Sequence, residues 1–425
     1  MDHGSKLDTV YNPQAVEKAV YQSWEAAGAF RSQPDDTPHD RTFTIVIPPP
    51  NVTGALHLGH ALNNTLQDIL IRYYRMRGFN TLWQPGCDHA GIATQAVVER
   101  RIRETEGKNR HDIGREELVK RIWKWKDEYE DRIIGQLKEM GCSCDWERTR
   151  FTLDEGLVRA VRHQFFHLFK DGLIFRGKRL VNWDTDLQTA VANDEVYHET
   201  VEGHFWHFRY PVIDPKPGEP EHVVIATTRP ETMLGDTAVA VHPDPEAFFA
   251  KQETALRESL VGASEKEKPE IETKLEALTE RRGSHLKGLI KLADMARSGK
   301  KLRLPLVERE IPLITDDWAD PTKGSGCVKI TPAHDPNDYE VGVRNDLPMI
   351  NVLTVDGKIA RIVEADGSVN SHSGDYEGLV FSGSGREKVV ADLEARGLIE
   401  SIEDHKHEVG HSDRSKTPIE PFLSD

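Results

Sequence analysis

The feature that most constrains the fold is a strand, a loop, a helix and a second strand in succession near the N-terminus. Thr42–Ile47 is a short β-branched run that predicts a buried strand, and Pro48–Pro50 end it. A helical pattern follows, and Phe79–Gln84 predicts the second strand. Because two strands joined through a helix over about 40 residues form a βαβ unit, the sequence predicts a parallel sheet and an α/β fold here.

The segment between these strands has the periodicity of an amphipathic helix. Its apolar side chains recur at intervals of three and four residues, at Leu62, Leu66, Ile69, Leu70 and Tyr73. An earlier helix is predicted over Gln14–Ala26, where apolar residues are spaced four apart.

The chain changes character midway along its length. Residues 97–180 are helix-rich and charged, and five short strand patterns then follow: Phe205–Tyr210, Val223–Thr227, Thr237–Val241, Leu306–Ile314 and Cys327–Thr331. Inside this region, residues 246–300 have helical periodicity and predict a helical excursion. We therefore predict an N-terminal α/β domain with a helical connection over 1–200, an inserted, mostly β domain over 201–400, and a return segment over 401–425.

Composition excludes several classes of protein. A chain of 425 residues is long for one core, so two or three domains are expected. The mean hydropathy of -0.56 and the lack of a long apolar run predict no membrane-spanning helix, and the N-terminus has no apolar signal segment. Four cysteines without a CxxC pair predict neither a disulfide scaffold nor a zinc site, so a cytoplasmic location is expected.

The net charge of -16 argues at first against a nucleic-acid partner. The charges are segregated, however. Residues 155–182 hold six basic and two acidic side chains, and residues 281–309 hold nine basic and two acidic side chains. Residues 253–280 hold eight acidic and four basic side chains. These acidic and basic halves of the helical excursion predict a self-paired hairpin, and a nucleic-acid contact through the basic half is the alternative.

A candidate phosphate site follows the first strand, at the carboxyl end of the predicted parallel sheet where α/β folds bind ligands. His57 and His60 are three residues apart on the first turn of a helix, whose free N–H groups and positive end favour phosphate. Gly59 leaves room for a nucleotide, and two imidazoles can donate hydrogen bonds to a phosphate in the transition state. The alternative is a capped helix with exposed histidines. The zinc-protease pattern HExxH does not fit.

The segment His57-Leu58-Gly59-His60 resembles the HIGH signature of the class I aminoacyl-tRNA synthetases. Gly86–Gln95 resembles the form found in the valyl members of that family, and the isoleucyl and leucyl members differ here. The resemblance covers nearly the whole chain. It implies an incomplete Rossmann-type nucleotide-binding core with an inserted editing domain. It also implies a monomer without a bound metal that acts on valine, on ATP with Mg²⁺ as its counter-ion, and on tRNA(Val).

The same resemblance implies roles for individual residues. Those expected to contact ATP are His57, Gly59 and His60. Those expected to line the valine pocket are Pro48, Asn51 and Asp88. The carboxylate of Asp88 would pair with the substrate ammonium, and the sequence also allows Asp88 to cap the helix that follows it.

A second constellation consists of two polar loops in the predicted β domain. Thr227–Thr232 ends one strand, and Gly324–Asp338 surrounds another. Taken alone, each segment fits an ordinary turn whose polar groups are hydrogen-bonded locally. Together they resemble the editing site of the valyl, isoleucyl and leucyl synthetases. The resemblance places Asp338 on the ammonium of a misattached threonine, and His334 is either a base or a loop-shaping residue. The residues expected around the side chain, the ester and the terminal adenosine are Thr227, Arg229, Lys329, Thr331 and Asp335.

Two departures from the family pattern limit these expectations. Nothing in the chain resembles the KMSKS loop, the second half of the Rossmann fold or the anticodon-binding domain, so aminoacylation by this chain alone is not expected. Ser412 and Ser415 stand where relatives can have cysteines, which predicts no zinc knuckle.

The leading hypothesis is the N-terminal portion of a valyl-type class I synthetase with an editing site. One alternative is a freestanding editing deacylase in which the HIGH region is only a scaffold. A second is a nucleotide-binding module without activity on tRNA. A third is an isoleucyl-type fragment, which Asp88–Gly91 disfavours.

Overall fold

The computed structural model describes residues 10–33 and 38–424. Its contacts divide the chain into two compact units, Met1–Phe175 and Arg176–Asp425. In the residues that it describes, no helix combines the length and the apolar character that a bilayer crossing requires.

The first unit alternates helices with short strands. Its helices are α1 (Pro13–Ala26), α2 (Leu58–Met76), α3 (Ile92–Glu106), α4 (Arg110–Ile113), α5 (Arg115–Glu139) and α6 (Glu155–Lys170). Its strands are β1 (Thr42–Val46), β2 (Asn80–Gln84), β3 (Gly86–Cys87) and β4 (Arg150–Phe151).

The predicted βαβ unit is confirmed. Strands β1 and β2 pair in parallel, with Thr42 opposite Asn80 and Val46 opposite Gln84, and α2 joins them. Ile47, directly after β1, and Trp83, in β2, are fully buried. They belong to a core that also includes residues of α2, α5 and the segment before β4: Ile71, Ile133, Leu137, Cys142 and Cys144. The prediction that the whole run is buried is wrong, because alternate residues of β1 are exposed, Val46 to 68%, and only Ile47 at its end is fully buried.

The apolar stripe of α2 does not lie in this core. Its five side chains are exposed, from 46% for Leu70 to 65% for Leu62. The side of the helix that is buried holds Asn64 and Ile71 instead. Periodicity identifies an apolar stripe but does not show whether another element covers it, because such an element would come from elsewhere in the chain.

The second unit is mostly β. Its strands are β5 (Arg179–Asp184), β6 (Thr189–Val191), β7 (Val196–Pro211), β8 (His222–Thr227), β9 (Ala238–Val241), β10 (Lys301–Arg303), β11 (Glu310–Thr315), β12 (Cys327–Ile330), β13 (Ile399–Ser412) and β14 (Ile419–Ser424). Its helices are α7 (Pro245–Gly262), α8 (Lys268–Arg297), α9 (Pro336–Arg344) and α10 (Arg386–Ala395).

Three sheets organise this unit. The strand orders are β13–β7–β8, β14–β5–β6 and β10–β11–β9–β12. The first two are antiparallel, and the third contains one parallel pair, β11 with β9. The predicted strand over Leu306–Ile314 begins only at Glu310, because Leu306 and Glu308 have φ of 70° and 56° and form a loop.

The predicted boundaries at both ends of the inserted region lie inside strands. The boundary at 200/201 falls inside β7, and the boundary at 400/401 falls inside β13. These strands pair with each other from Ile399 to Ser412, so neither can be divided without breaking the ladder. The change in composition along the sequence therefore does not coincide with the end of the hydrogen-bonded ladder between β7 and β13.

The helical excursion forms where its periodicity predicts it. Helices α7 and α8 pack against each other, and Arg282 of α8 pairs with Glu253 of α7 at 3.2 Å. The guanidinium of Arg281 donates to the carbonyl oxygens of Pro321 and Gly324. Both arginines are therefore used inside the unit, in agreement with a self-paired hairpin.

Candidate active sites

The first candidate site is a cavity of about 560 Å³ beyond the carboxyl end of β1. It brings together five of the predicted residues: Pro48, Asn51, His57, Gly59 and His60. Two side chains of α5 hold the loop that lines it. Trp125 Nε1 donates to the carbonyl of Val52 at 2.9 Å, and the side-chain oxygen of Gln136 accepts from the Leu56 N–H at 3.0 Å.

The two histidines form a reciprocal cap at the start of α2. His57 Nδ1 accepts from the Gly59 N–H at 3.1 Å, and His60 Nδ1 accepts from the His57 N–H at 3.3 Å. Because each Nδ1 is an acceptor, the proton of each neutral ring lies on Nε2, which the cap does not use. Burial and the neighbouring His57 lower the pKa of His60. The arrangement therefore satisfies both interpretations, a capped helix and two N–H donors.

Gly59 has a more specific role than the predicted one. A Cβ at this position would lie 2.9 Å from His57 Cε1 and 3.1 Å from its Nδ1. A side chain here would therefore displace the His57 imidazole from its place over the helix end. Gly59 thus permits the cap, in addition to the room for a nucleotide that the sequence predicts.

The backbone of Asp88 lies directly beside this loop. Its N–H donates to the carbonyl of Pro50 at 2.8 Å, and its carbonyl accepts from the Val52 N–H at 3.0 Å. These bonds flank Asn51, so the predicted valine-pocket residues Asn51 and Asp88 are neighbours across a parallel bridge.

The carboxylate of Asp88 does not cap the next helix. Helix α3 has Gly91 as its N-cap, with no side-chain bond to the cap. The carboxylate oxygen Oδ1 instead accepts from the Ala90 N–H at 3.1 Å and from Thr152 Oγ1 at 3.0 Å. The side chain is 35% exposed and its second oxygen is not part of these bonds, so it can meet an ammonium group.

In the second unit, the second polar loop contacts Asp236, which sequence reasoning missed. Its buried carboxylate accepts from Thr331 Oγ1 at 2.6 Å, from Tyr210 Oη at 2.7 Å and from Lys329 Nζ at 3.3 Å. Burial raises the pKa of Asp236 against the opposing effect of Lys329. The sequence did contain a signal for Asp236, which lies two residues before the apolar strand β9. When such a strand is buried, a charge beside it needs a partner.

Asp338 lies next to this network and is 5% exposed. Its Oδ2 accepts from the Thr331 N–H at 2.9 Å. Burial raises the pKa of Asp338 to about 7; Lys329 opposes the shift and Asp335 adds to it. A carboxylate held this way gains from a cationic partner, as the predicted contact with an ammonium requires.

The other predicted residues of this site have partners within the unit. Asp335 is the N-cap of α9 and accepts from the N–H groups of Asn337 and Asp338. Thr227 Oγ1 accepts from the Arg229 N–H at 3.0 Å. The guanidinium of Arg229 pairs with two carboxylates, which raise its pKa; they belong to Glu231 and Glu420.

His334 shapes the loop. Its Nε2 accepts from the Val352 N–H at 2.9 Å, and its Nδ1 lies 3.3 Å from the carbonyl of Pro421. Burial lowers the pKa of His334 to about 3, and the charge of Arg229 adds to this shift. Both nitrogens are therefore used in a neutral ring, which disfavours the alternative that His334 is a general base.

Replacing His334 with alanine is expected to destabilise the fold. The Val352 N–H would lose its acceptor, at a cost of about 1–3 kcal/mol in the free energy of unfolding. Thermal unfolding measures this loss, and His372→Ala, at an exposed histidine, is the control. A melting temperature equal to that of the native chain would contradict this structural role of His334.

Replacing Asp236 with asparagine is expected to destabilise the fold, because the buried Lys329 Nζ would lose the carboxylate that pairs with it, at a cost of about 3–5 kcal/mol in the free energy of unfolding. Thermal unfolding measures this loss. Asp356→Asn, which removes an exposed carboxylate paired with Lys358, is the control. Equal melting temperatures in both variants would contradict the structural role of Asp236.

The comparison with known families decides the class. A family model described as tRNA synthetases class I (I, L, M and V) matches residues 19–333. The chain belongs to the class I tRNA synthetases. The resemblance read from its HIGH-like segment is thereby confirmed at the level of the family.

Curated relatives of this class I chain are similar along almost all of its length. The valine–tRNA ligase of Rhodopirellula baltica is 61% identical over 421 residues, which is 99% of this chain and 39% of that protein. The valine–tRNA ligase of Geobacter sulfurreducens is 49% identical over 420 residues, 99% of this chain and 40% of that protein. The chain thus spans about two fifths of the length of these relatives.

Among solved structures, the LeuRS–tRNA–LeuAMS ternary complex of Agrobacterium radiobacter K84 is 18% identical with a TM-score of 0.40. The alignment covers 97% of this chain and 49% of that one.

Proposed function

We propose that this chain provides the ATP- and valine-binding part of a valine–tRNA ligase, together with a site that hydrolyses threonyl-tRNA(Val). The observation that supports the first activity most directly is the pair of Nε2 donors at the N-terminus of α2, in a cavity beside Asp88. The similarity to valine–tRNA ligases supports valine over isoleucine as the substrate.

In the proposed activation, the phosphates of ATP lie against the first turn of α2. The neutral rings of His57 and His60 donate from Nε2 as charge builds on the α-phosphate, and the helix end adds favourable N–H dipoles. Asp88 pairs with the ammonium of valine. Mg²⁺ enters as the counter-ion of ATP, and we propose a cytoplasmic monomer that binds tRNA(Val).

The proposed hydrolysis would raise the selectivity for valine over threonine above what binding alone can provide. Valine and threonine are near-isosteres, and valyl-tRNA synthetase is itself the standard example of the resulting limit, about 10² by binding alone. Translation needs roughly 10⁴–10⁵, so a second, polar pocket has to accept the threonine hydroxyl. The buried polar side chains around Asp236 and Asp338 suit this purpose, with an oriented water as the attacking group.

Three assays on the 425-residue chain test the proposal. Binding of a non-hydrolysable valyl-adenylate analogue and valine-dependent ATP–pyrophosphate exchange test the first site, and hydrolysis of threonyl-tRNA(Val) without ATP tests the second. Hydrolysis alone would favour a freestanding deacylase. Nucleotide binding alone would favour a module without activity on tRNA, and exchange with isoleucine in place of valine would favour an isoleucyl-type fragment.

A further inference from the structure

One strand outside the predicted inserted region contacts both polar loops of the second site. Strand β14 pairs with β5 from Ile419 to Ser424. The carboxylate of Glu420 pairs with Arg229 Nη2, in the first loop. The carbonyl of the next residue, Pro421, meets the ring of His334, in the second loop. Adjacent residues of β14 thus hold the two loops at once.

The pair between Glu420 and Arg229 belongs to a network of four charges in which both carboxylates are buried and both guanidinium groups are partly exposed. Glu231 is fully buried and accepts from Arg386 at 2.7 and 2.8 Å. It also accepts from Arg229 Nε at 3.4 Å. Because Glu231 is already bound at both oxygens by Arg386, Glu420 supplies the balancing charge for Arg229. Two guanidinium groups and two carboxylates then leave no net charge, as the burial of the carboxylates requires.

The network also sets the direction of the Arg229 side chain. Glu231 engages Nε and Glu420 engages Nη2, which leaves Nη1 outside both pairs. The ring of Phe381 lies 5.8 Å from the centre of the same guanidinium and 5.8 Å from the ring of His334. The planar group is therefore constrained by ion pairs along its edge and by an aromatic ring nearby.

We propose that β14 is a positioning strand of the hydrolytic site, in which Glu420 orients the guanidinium of Arg229 and the carbonyl of Pro421 orients the loop of His334. The inference rests on the proposed hydrolysis of threonyl-tRNA(Val). It makes that activity depend on a strand of the β14–β5–β6 sheet, although both polar loops lie within residues 201–400. Glu420 acts through Arg229 and is not itself a catalytic residue.

A double-mutant cycle tests this role. Single-turnover hydrolysis of threonyl-tRNA(Val) is measured with the full chain in excess, for the native protein, Glu420→Gln, Arg229→Gln and the double variant. We expect Glu420→Gln to lower the saturating rate by about tenfold or more, with a smaller change in the half-saturating concentration. The double variant is expected to be no slower than Arg229→Gln, because Glu420 acts only through the side chain already removed.

The controls separate positioning from general destabilisation. Glu400→Gln, on β13, breaks an exposed pair with Arg209 of β7 and is expected to leave the rate unchanged. Glu420→Asp keeps the charge on a shorter side chain and is expected to give an intermediate rate. If Glu420→Gln does not fold in thermal unfolding, the cycle is run with Glu420→Asp, with the same non-additivity expected.

The outcomes are distinct. No hydrolysis by the native chain would overturn the proposed function. Hydrolysis by the native chain with an unchanged rate in the Glu420 variants, or with additive losses in the double variant, would overturn the role of β14 alone. A non-additive loss confined to the Glu420 and Arg229 variants supports it.

Discussion

Replacing Asp338 with asparagine is expected to lower hydrolysis of threonyl-tRNA(Val) by about 10²-fold, the size of effect seen when one partner of a buried charge pair is removed. The asparagine oxygen can still accept from the Thr331 N–H, so the loop keeps its local bond. What disappears is the carboxylate that the substrate ammonium would meet. Initial rates at pH 8 measure the loss.

The pH dependence of the native protein provides an independent check on Asp338. Its pKa is about 7 in the fold, against a usual value of 3.8. Because only the ionised carboxylate pairs with an ammonium, hydrolysis is expected to fall as the pH drops below about 7. The low pKa of His334 means that this histidine adds no inflection near neutrality.

The same raised pKa predicts a stability signature. The folded protein retains the Asp338 proton at pH values where the unfolded chain has lost it. The resulting stabilisation is complete below pH 3.8 and is lost as the pH rises through about 7. Asparagine carries no such loss. We therefore expect Asp338→Asn to melt at a higher temperature than the native protein at pH 8, with a smaller difference at pH 5.

Asp375→Asn, at an exposed carboxylate of the same unit, is the matched control and is expected to change neither property. Native-like hydrolysis by Asp338→Asn would remove Asp338 from the site. A lower melting temperature of Asp338→Asn than of the native protein at pH 8 would show that the ionised Asp338 carboxylate does not destabilise the fold.

Replacing His57 with asparagine is expected to weaken binding of a non-hydrolysable valyl-adenylate analogue by about 10- to 10²-fold, as for a lost hydrogen bond to a charged group. Asparagine is among the strongest N-cap residues, so the start of α2 is preserved while the Nε2 donor disappears. Calorimetric titration measures the affinity, and thermal unfolding is expected to show little change.

Two companion variants complete this test. His57→Ala removes both the cap and the donor, and is expected to lower the melting temperature as well as the affinity. His111→Asn, at an exposed histidine of the same unit, is expected to alter neither. If His57→Asn bound the analogue as tightly as the native chain, His57 would be a capping residue only.

Local patterns predicted much of the geometry around the first candidate site. The βαβ unit, the position of the loop after β1 and the spacing of His57 and His60 on one helical turn all follow from interactions between residues close in sequence. The reciprocal cap could not be read from the same pattern, because it depends on which nitrogen of each ring faces the backbone. The close approach of the His57 ring to Gly59 could not be predicted either, because it depends on the same ring orientation.

The second site was predicted less completely. Asp338 and the two polar loops were named from their resemblance to a family, but Asp236, which binds Lys329 and Thr331 of the second loop, was not. Arg229 was expected to face the substrate, whereas Glu231 and Glu420 occupy two of its nitrogens. Buried charges are recognised only by their partners, and these partners are far apart in the chain.

The sequence by itself determined the features that depend on nearest neighbours: the parallel unit, the helical excursion, the polar loops and the chemistry that each residue type allows. The tertiary structure decided which of those residues meet. It left the apolar stripe of α2 exposed, ran β7 and β13 across both predicted boundaries, and placed β14 against Arg229 and His334. The reason is physical, since periodicity is set by the geometry of one element, whereas burial and ion pairing are set by contacts between elements distant in sequence.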